Sequence, residues 1–358
     1  MSEESIIRKE EITTPSLLDD LDAMESNLRA MARFFEGRSC KVRPHFKNHK
    51  SPALARKQVE GGAIGITCAT MREAEILVEN GIDNILIANE IAGQEKCERL
   101  AEISRLASVM VAADSETAIR DLAAAQRNRK GKIAILVDVN IGMNRCGLEP
   151  GNPALELARY ALAQGLTVRG IMGYDGHMQV TPPSAERDVQ VLEGSKALVE
   201  TAALFTQAGI DTGIVSTGGT GTHSVAGVYP GITEIQAGSY LLMDNAYLSR
   251  SAPFQRSLTV LATVVSTRGK DHAVLDCGIK EMNCERGLPT VKDVPGAQVK
   301  ALHAEHALIE LDPLVSPTLT PGQKVELWVH YSDGTVNLHS AMYGIRKGQV
   351  EEVFAIEH

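Results

Sequence analysis

The sequence predicts an α/β fold, a (β/α)8 barrel followed by a C-terminal β domain, from three observations. Eight short β-branched runs alternate with segments of helical periodicity between about residues 20 and 245. Helical periodicity nearly disappears after residue 250, where extended segments with turn residues replace it. The chain has 358 residues, too many for one hydrophobic core of ordinary size. We therefore predict a barrel at residues 20–248 and a mainly β domain formed by residues 1–19 and 249–358.

Each predicted barrel strand is a short apolar run that ends in polar loop residues, which is typical of βα units. The strands are predicted at Lys41–His45, Ala63–Ala69, Asn84–Ala88, Ser108–Ala112, Lys132–Val139, Thr167–Tyr174, Gly213–Thr217 and Thr233–Gln236. Helices between and before them are predicted at Leu21–Phe35, Met71–Asn80, Ser115–Arg127, Pro153–Gln164 and Ala185–Ala208. Eight parallel strands that alternate with helices close into a barrel more readily than they form an open sheet.

The second domain is predicted from extended segments separated by proline and glycine. These segments are Leu258–Thr267, His272–Asp276, Val299–His303, Ala307–Leu311, Lys324–His330 and Thr335–Tyr343. The segment in front of the barrel is extended because of the restriction at Thr14-Pro15, so we expect it to add a strand to this domain.

Composition excludes several classes of protein. Hydrophobic residues make up 44% and charged residues 23% of the chain, as in an average globular protein. A formal net charge of −9 argues against a nucleic acid or an anionic membrane as partner, because both favour a basic surface. The six cysteines form no CxxC pair, and the acidic N-terminus carries no apolar targeting segment. We therefore expect reduced thiols and a cytoplasmic protein.

The last two barrel strands end in loops rich in glycine, serine and threonine. In barrels of this class the chemistry lies at the C-terminal ends of the strands, and phosphate commonly binds after strands 7 and 8. Residues 216–222 and 236–240 fill these two positions, and their backbone N–H groups suit a phosphate dianion. For one loop alone, tight turns would explain the glycines equally well. Two such loops together favour phosphate.

The first barrel strand leads into a basic run, Arg43-Pro44-His45-Phe46-Lys47-Asn48-His49-Lys50. Neighbouring positive charges would favour a neutral, nucleophilic amine on Lys47 at the strand end. The alternative is a solvated basic loop, which is the commoner reason for a charge run. A strand-end lysine and a phosphate site at the same barrel mouth are the two halves of a pyridoxal phosphate pocket.

This basic run resembles the N-terminal part of the D-threonine aldolase and D-serine dehydratase family. Those enzymes share the fold of alanine racemase, which is fold type III of the pyridoxal phosphate enzymes. The resemblance extends over nearly the whole chain. It continues through Ile66-Thr67-Cys68-Ala69-Thr70, Asn144-Arg145-Cys146-Gly147, Thr217-Gly218-Gly219-Thr220-Gly221, Gln236-Ala237-Gly238-Ser239-Tyr240, Asp276-Cys277-Gly278-Ile279-Lys280 and Glu305-His306.

The resemblance implies roles for individual residues. Lys47 would hold the cofactor as an imine, and Arg145 would approach the cofactor ring oxygen or the substrate carboxylate. Several aldolases of the family carry a histidine where this chain has Val180, so we expect the nearby His177 to be the base, with a metal-bound water as the alternative. The implied cofactor contacts are Lys47, Arg145, Tyr174, Thr217, Gly218, Gly219, Gly238, Ser239 and Tyr240.

The resemblance also implies a divalent metal, bound in the family by a histidine and by a cysteine or aspartate two residues later. Here Asp333 follows His330 by three residues, and an inserted residue would bring Asp333 into register with the family. We therefore predict His330 and Asp333 as ligands, with Mn²⁺ expected first and Zn²⁺ or Co²⁺ also suited. The alternative is a metal-free hairpin turn at residues 332–334, because Asp-Gly is an ordinary turn signal.

The function implied is that of a pyridoxal-phosphate-dependent D-3-hydroxy-amino acid aldolase, which cleaves Cα–Cβ to glycine and an aldehyde. The small preference for an aldolase rests on Asp333, because the dehydratases more often have cysteine there. Alternatives are a dehydratase acting on D-serine or 3-hydroxy-D-aspartate, an amino acid racemase, and a cofactor carrier without turnover. The partner is then a small D-amino acid, and we expect a homodimer by analogy with fold type III.

Overall fold

The computed structural model describes residues 7–248 and 253–358. Within these residues the chain forms two compact units. The barrel unit comprises Met31–Lys47 and Ala55–Gly238, and the β unit comprises the remaining described residues. The predicted domain boundary between residues 248 and 249 touches residues 249–252, which lie outside the described residues, so it stays a prediction.

The described chain begins with a 3-10 turn at Lys9–Glu11, followed by strand β1 (Ser16–Asp20) and helix α1 (Leu21–Phe35). Helix α1 has the bounds that the sequence predicts. Strand β1 pairs antiparallel with one neighbour in the β unit and parallel with another. The prediction that the segment before the barrel adds a strand to the second domain is therefore confirmed.

The barrel unit contains eight parallel strands within the described residues, and the predicted fold class is confirmed. These are β2 (Lys41–Val42), β3 (Ile66–Cys68), β4 (Ile85–Glu90), β5 (Val109–Ala113), β6 (Ala134–Asp138), β7 (Thr167–Met172), β8 (Ile214–Thr217) and β9 (Glu234–Ile235). Their order in the sheet is β2-β9-β8-β7-β6-β5-β4-β3. A parallel bridge between His45 and Thr67 joins the two ends of this order and closes the sheet.

Helices alternate with these strands. They are α2 (Pro52–Glu60), α3 (Met71–Glu79), α4 (Gln94–Ile103), α5 (Glu116–Arg129), α6 (Asn152–Ala163), α7 (Gly176–Gln179), α8 (Ala185–Gln207) and α9 (His223–Ala226). Thr70, Ser115 and Ser184 each accept a backbone N–H in the first turn of the helix that follows, which fixes where α3, α5 and α8 begin. The interior of the sheet is apolar. Leu86, Met110, Ala112, Leu136 and Met172 pack there as one buried cluster.

The β unit is an antiparallel sheet with one parallel pair. Its strands after β1 are β10 (Leu258–Arg268), β11 (His272–Leu275), β12 (Thr290–Val291), β13 (Ala297–Leu302), β14 (Ala307–Leu311), β15 (Lys324–Trp328), β16 (Ala341–Arg346) and β17 (Gln349–Ala355). The main order is β13-β14-β11-β10-β1-β16-β17, and β15 pairs with β10 and β12. Ile12, Leu18 and Leu261 form a buried cluster on this sheet.

One predicted strand is partly wrong. The sequence predicts a strand over Thr335–Tyr343, whereas the structure has helix α10 (Ser332–Val336) and begins β16 at Ala341. The carboxylate of Asp244 accepts hydrogen bonds from both the backbone N and the hydroxyl of Ser332, each 2.8 Å long. This buried acceptor anchors the first turn of the helix, so residues 332–334 are helical rather than a hairpin turn. Within the described residues no helix is both long and apolar enough to cross a membrane.

Candidate active site

Lys47 lies in a 3-10 turn (Phe46–Asn48) directly after the first barrel strand. Its backbone N donates to His45 Nδ1 at 3.4 Å. The side chain is half-buried, and its Nζ lies 6.0 Å from the centroid of the Tyr174 ring. The structure therefore places the predicted amine at the strand end and over the predicted aromatic ring.

The basic run around Lys47 is not one field of like charge, which corrects the sequence argument. Arg43 is 2% exposed and forms two hydrogen bonds to the Glu234 carboxylate, at 3.0 and 2.9 Å. Its Nη1 also donates to the Asn84 carbonyl at 2.7 Å. Because its charge is paired inside the barrel wall, Arg43 adds little positive potential at Lys47. Gly65 is required beside it, since an added Cβ would lie 2.4 Å from Arg43 Nη1.

Arg145 also lies near the Tyr174 ring. Its Cζ is 5.6 Å from the Tyr174 centroid, within cation–π range. The loop after β6 presents this guanidinium because Asn140 Oδ1 accepts the backbone N–H groups of Gly142 and Asn144, both at 3.1 Å. Gly147 closes the loop at φ +94, where a Cβ would lie 2.7 Å from the Val139 carbonyl carbon. Lys47, Tyr174 and Arg145 are therefore brought together, as predicted.

The predicted phosphate loop follows β8 and is called the glycine loop below (Gly218–Thr222). Gly218 has φ +68, which favours glycine. The N–H of Gly219 donates to Thr222 Oγ1 at 3.2 Å, and the N–H of Gly221 donates to Gln179 Oε1 at 2.8 Å. The loop is thus a buried turn whose backbone is held by hydrogen bonds to Thr222 and Gln179. Thr217 is the last residue of the strand that leads into it.

The second predicted phosphate loop follows β9. His45 N donates to the Ala237 carbonyl at 3.1 Å, which ties this strand end to the turn that carries Lys47. Gly238 ends the barrel unit, whereas Ser239 and Tyr240 belong to the β unit. Tyr240 is 1% exposed and packs on Phe254 with ring centroids 5.6 Å apart. The structure places its ring in the core of the β unit, and its role as a cofactor contact stays a prediction.

His177, the predicted base, lies in α7 near the loop after β6. Its Nδ1 is buried and has no hydrogen-bond partner within the described residues. Its Nε2 lies 3.1 Å from the position that a Cβ on Gly142 would take. The imidazole is therefore close to the loop that carries Arg145, with one ring nitrogen available for a proton.

Sequence reasoning assigned no role to a group of carboxylates at the barrel mouth. Glu90 and Asp138 end strands β4 and β6, and Asp114 follows β5. Burial, with Glu90 and Asp114 as neighbours, raises the pKa of Asp138 to about 8. Asp138 also lines a small cavity together with Arg145 and Tyr174. The signal that would have found them is positional, because acidic residues at the ends of consecutive barrel strands share one rim.

The predicted metal ligands lie in the β unit. Asp333 Oδ1 accepts from Asn48 Nδ2 at 2.6 Å. His330 Nδ1 bonds the Leu288 carbonyl at 3.1 Å, a contact of the kind that fixes the ring orientation of a ligating imidazole. That His330 and Asp333 bind a metal stays a prediction. No group of three or more histidine, cysteine or acidic side chains spaced for a metal occurs among residues 7–248 and 253–358.

Around Asp333 the β unit gathers further polar groups, and we call this set the α10 corner (Asp244, Tyr247, Arg286, Tyr331, Ser332 and Asp333). Burial raises the pKa of Asp244 despite its hydrogen bonds from Ser332 and Tyr247. Arg286 lies over the Tyr331 ring, with Cζ 4.1 Å from the centroid. Tyr331, Tyr247, Asp333 and Asp244 together raise the pKa of Arg286 against the opposing effect of its burial. Sequence reasoning did not single out Arg286 or Asp244.

Comparison with known proteins follows the same two-unit division. The alanine racemase N-terminal domain family matches residues 20–246, and the putative serine dehydratase domain matches residues 257–345. D-threonine aldolase of Arthrobacter sp. is 34% identical over 354 residues, which cover 96% of this chain and 92% of that protein. 3-Hydroxy-D-aspartate aldolase of Paracoccus denitrificans (strain Pd 1222) is 31% identical, covering 97% of this chain and 92% of that protein.

Among solved structures, D-threonine aldolase from Filomicrobium marinum has a TM-score of 0.92 with this chain at 35% identity. The match covers 97% of this chain and 95% of that one, so it includes both units. On its identity, its coverage and its two matched domains, the chain belongs to the family of D-threonine aldolases and D-serine dehydratases with the alanine racemase-like fold.

Proposed function

We propose that this chain is a pyridoxal-phosphate-dependent lyase that cleaves the Cα–Cβ bond of D-3-hydroxy-amino acids to give glycine and an aldehyde. The names of the two aldolase relatives support this reaction. The observation that carries the proposal is the position of Lys47 Nζ, 6.0 Å from the Tyr174 centroid, in a barrel whose β8 ends in the glycine loop. A primary amine, an aromatic ring and a glycine-lined loop together suit this cofactor.

The residues of the barrel mouth fit pyridoxal phosphate. Lys47 offers the amine that would hold its carbonyl carbon, and the glycine loop is closed to side chains, since a Cβ on Gly219 would lie 2.7 Å from Gln179 Oε1. When bound, the cofactor supplies an electron sink for the bond that breaks at the substrate Cα. The residues proposed to hold it are Lys47, Arg145, Tyr174, Thr217, Gly218, Gly219, Gly238, Ser239 and Tyr240.

The remaining chemistry belongs to side chains of this chain. We assign the β-hydroxyl proton to His177, whose imidazole lies beside the loop that carries Arg145. Arg145 orients the substrate carboxylate or the cofactor ring oxygen, and the Tyr174 ring lies 6.0 Å from Lys47 Nζ and 5.6 Å from Arg145 Cζ. Together these residues bind and orient the substrate and take its proton.

A divalent metal held by His330 and Asp333 is the finer part of the proposal. A metal there would act as a Lewis acid on an oxygen of the substrate. The test is the metal content of protein purified with Mn²⁺ and dialysed. We expect less bound manganese in Asp333→Asn than in wild type, and no change in Asp312→Asn, whose carboxylate bonds only the Leu314 N–H among the described groups. Equal metal content in all three proteins would contradict the assignment.

A dehydratase is the second candidate, and a specific observation favours it. The C-terminal part of the chain matches the putative serine dehydratase domain over residues 257–345. In that reaction Lys47 would take the Cα proton while the β-hydroxyl departs. A racemase would act on the Cα proton alone and would keep its activity in EDTA.

The experiment that separates these functions supplies D-threonine and D-serine in separate assays, with and without Mn²⁺. We expect acetaldehyde and glycine from D-threonine, and little pyruvate from D-serine. L-threonine is the matched control for stereochemistry. Failure to form product from either D-amino acid, or a protein that stays colourless after addition of pyridoxal phosphate, would reject the proposal.

The homodimer is also proposed on the family analogy, and the cytoplasmic location on the reduced thiols that the cysteine pattern predicts. Size-exclusion chromatography with light scattering tests the first, with a mass of twice 38.5 kDa expected. A mass of one chain under assay conditions would contradict it.

A further inference from the structure

The buried side-chain carboxamide of Gln179 forms hydrogen bonds with the glycine loop. Its Oε1 accepts the N–H of Gly221 at 2.8 Å, and its Nε2 donates to Thr222 Oγ1 at 2.8 Å and to Asp175 Oδ1 at 2.6 Å. A carboxamide has two N–H donors, so both are used here. Gln179 and Asp175 are 2% and 4% exposed, which makes each of these hydrogen bonds costly to lose.

The peptide between Thr220 and Gly221 is fixed at both ends. Its N–H is held by Gln179, and its carbonyl accepts from His223 Nδ1 at 2.8 Å. The carbonyl of Gly221 accepts in turn from the Arg187 guanidinium, which is 4% exposed. With these peptide groups fixed, the orientation of the loop is set before any ligand arrives.

Gln179 also packs directly against the backbone of the glycine loop. An added Cβ on Gly219 would lie 2.7 Å from Gln179 Oε1, and one on Gly221 would lie 2.7 Å from the Gln179 carbonyl oxygen. The loop backbone therefore rests directly on this residue. A variant side chain without these two N–H donors would leave Thr222 Oγ1 and Asp175 Oδ1 without the hydrogen bonds that Gln179 donates. The loop backbone could then rotate.

We infer that Gln179, supported by Asp175, is the positioning residue of the phosphate loop and sets the orientation of its peptide groups for the phosphate of the cofactor. The inference rests on the proposed function, because it takes the loop as the phosphate site. Because Gln179 acts through the loop backbone, the inference predicts a loss of affinity that is specific to the phosphate group. A general loss of fold would instead weaken every ligand of the barrel mouth equally.

Pyridoxal and pyridoxal phosphate, which differ only in the phosphate group, are the probes. We expect Gln179→Leu to raise the dissociation constant of pyridoxal phosphate about tenfold or more, equal to about 1.4 kcal/mol. The dissociation constant of pyridoxal, followed by its visible absorbance, should stay within about twofold of wild type, a change of about 0.4 kcal/mol. Inorganic phosphate should compete less well with pyridoxal phosphate in the variant.

The matched control is Gln126→Leu. Gln126 also holds backbone groups on both sides, since its Oε1 accepts from Ile133 N at 2.7 Å and its Nε2 donates to the Gly165 carbonyl at 2.9 Å. It contacts no residue of the glycine loop in these bonds, so both probes should bind as in wild type. If Gln179→Leu does not fold, two variants with little change in volume replace it. Gln179→Glu removes the two N–H donors, and Thr222→Val removes the hydroxyl that accepts one of them.

The outcomes are separable. An equal loss for both probes, or no loss in Gln179→Leu, Gln179→Glu or Thr222→Val, overturns the positioning role. Wild-type protein that binds neither probe overturns the proposed function instead. A selective loss for pyridoxal phosphate in a Gln179 variant and in Thr222→Val supports the inference.

Discussion

The barrel mouth and the α10 corner are built in different ways, although both are lined by buried polar groups. At the barrel mouth, the groups that matter are strand-end side chains and peptide groups that the barrel places on one rim, such as Lys47 and the glycine loop. In the α10 corner, they are side chains brought together from distant segments, such as Asp244 and Ser332, which are 88 positions apart. The first kind of site follows from the repeat of strands and helices, and the second follows only from tertiary contacts.

The largest effect is expected at the barrel mouth, from Lys47→Ala. Loss of this amine should lower turnover by about three orders of magnitude or more, because it acts directly on the reacting centre. Visible absorbance with pyridoxal phosphate should disappear in the same variant. The matched control is Lys50→Ala, since the Lys50 ammonium bonds Asn337 Oδ1 in the β unit at 2.6 Å. If Lys47→Ala turns over substrate about as fast as Lys50→Ala, Lys47 is not the amine that the reaction requires.

The next largest effect concerns the barrel wall behind Lys47. Glu234→Gln leaves the Arg43 guanidinium buried without a counter-charge, and we expect it to lower the free energy of unfolding by about 3–5 kcal/mol. Urea unfolding followed by circular dichroism measures this. Glu156→Gln removes an exposed partner of Arg159 and should change the free energy of unfolding by about 0.5 kcal/mol or less. Similar values for the two variants would mean that the buried pair adds nothing beyond a surface pair.

The counterpart in the α10 corner is Asp244→Asn. The amide offers one acceptor oxygen where the carboxylate serves three donors, namely Ser332 N, Ser332 Oγ and Tyr247 N. We expect a loss of about 1–3 kcal/mol in the same unfolding experiment. Asp312→Asn, on an exposed turn, is the control. A loss larger than that of Glu234→Gln would reverse the order that the two regions predict.

The last effect is a trend with pH rather than a loss at one pH, and it concerns Asp19 in β1. Both oxygens of this buried carboxyl lack a hydrogen-bond partner within the described residues, and burial raises its pKa from 3.8 to about 8. The folded protein therefore holds a proton that the unfolded chain has released, so this group lowers stability progressively as pH rises from about 4 to 8, by at most about 1.4 kcal/mol per pH unit.

Asp19→Asn replaces the titrating carboxyl with an amide that neither binds nor releases a proton in this pH range. We expect the free energy of unfolding of the variant, relative to wild type, to increase as pH is raised from 5 to 8. Urea unfolding at several pH values measures the trend, and Asp312→Asn, on an exposed turn, is the control. A pH-independent difference would show that the Asp19 carboxyl is ionised in the folded protein.

Most of the barrel was predictable because each element has its own periodic signal. Helix α1 and strand β14 have the bounds that the sequence predicts, and the eight barrel strands lie within the predicted segments or extend slightly beyond them. Helices α2 and α4 were not singled out, because their apolar residues are few and charged residues interrupt them. The strand-end rule then located Lys47, and the family resemblance added Tyr174 and Arg145. The structure brings Lys47 and Arg145 near the Tyr174 ring.

What the sequence does not predict depends on side-chain contacts between distant segments. The helical turn at Ser332 requires the Asp244 carboxylate, and nothing in the local sequence indicates that acceptor. The pairing of Arg43 with Glu234 likewise joins the first and last barrel strands, 191 positions apart, and removes one positive charge from an apparently basic cluster. The contacts of Gln179 with the glycine loop are of the same kind.

The closure of the barrel at His45 and Thr67 has one further consequence. Proline at position 44 has no N–H to donate, so the junction between β2 and β3 is held by few backbone hydrogen bonds, among them those from Thr67 N to Pro44 O at 2.7 Å and from Ile64 N to Val42 O at 3.1 Å. This sparse junction lies immediately before Lys47. Local opening of the wall should therefore cost least beside the proposed catalytic amine, and amide hydrogens there should exchange with solvent sooner than those between β4 and β5.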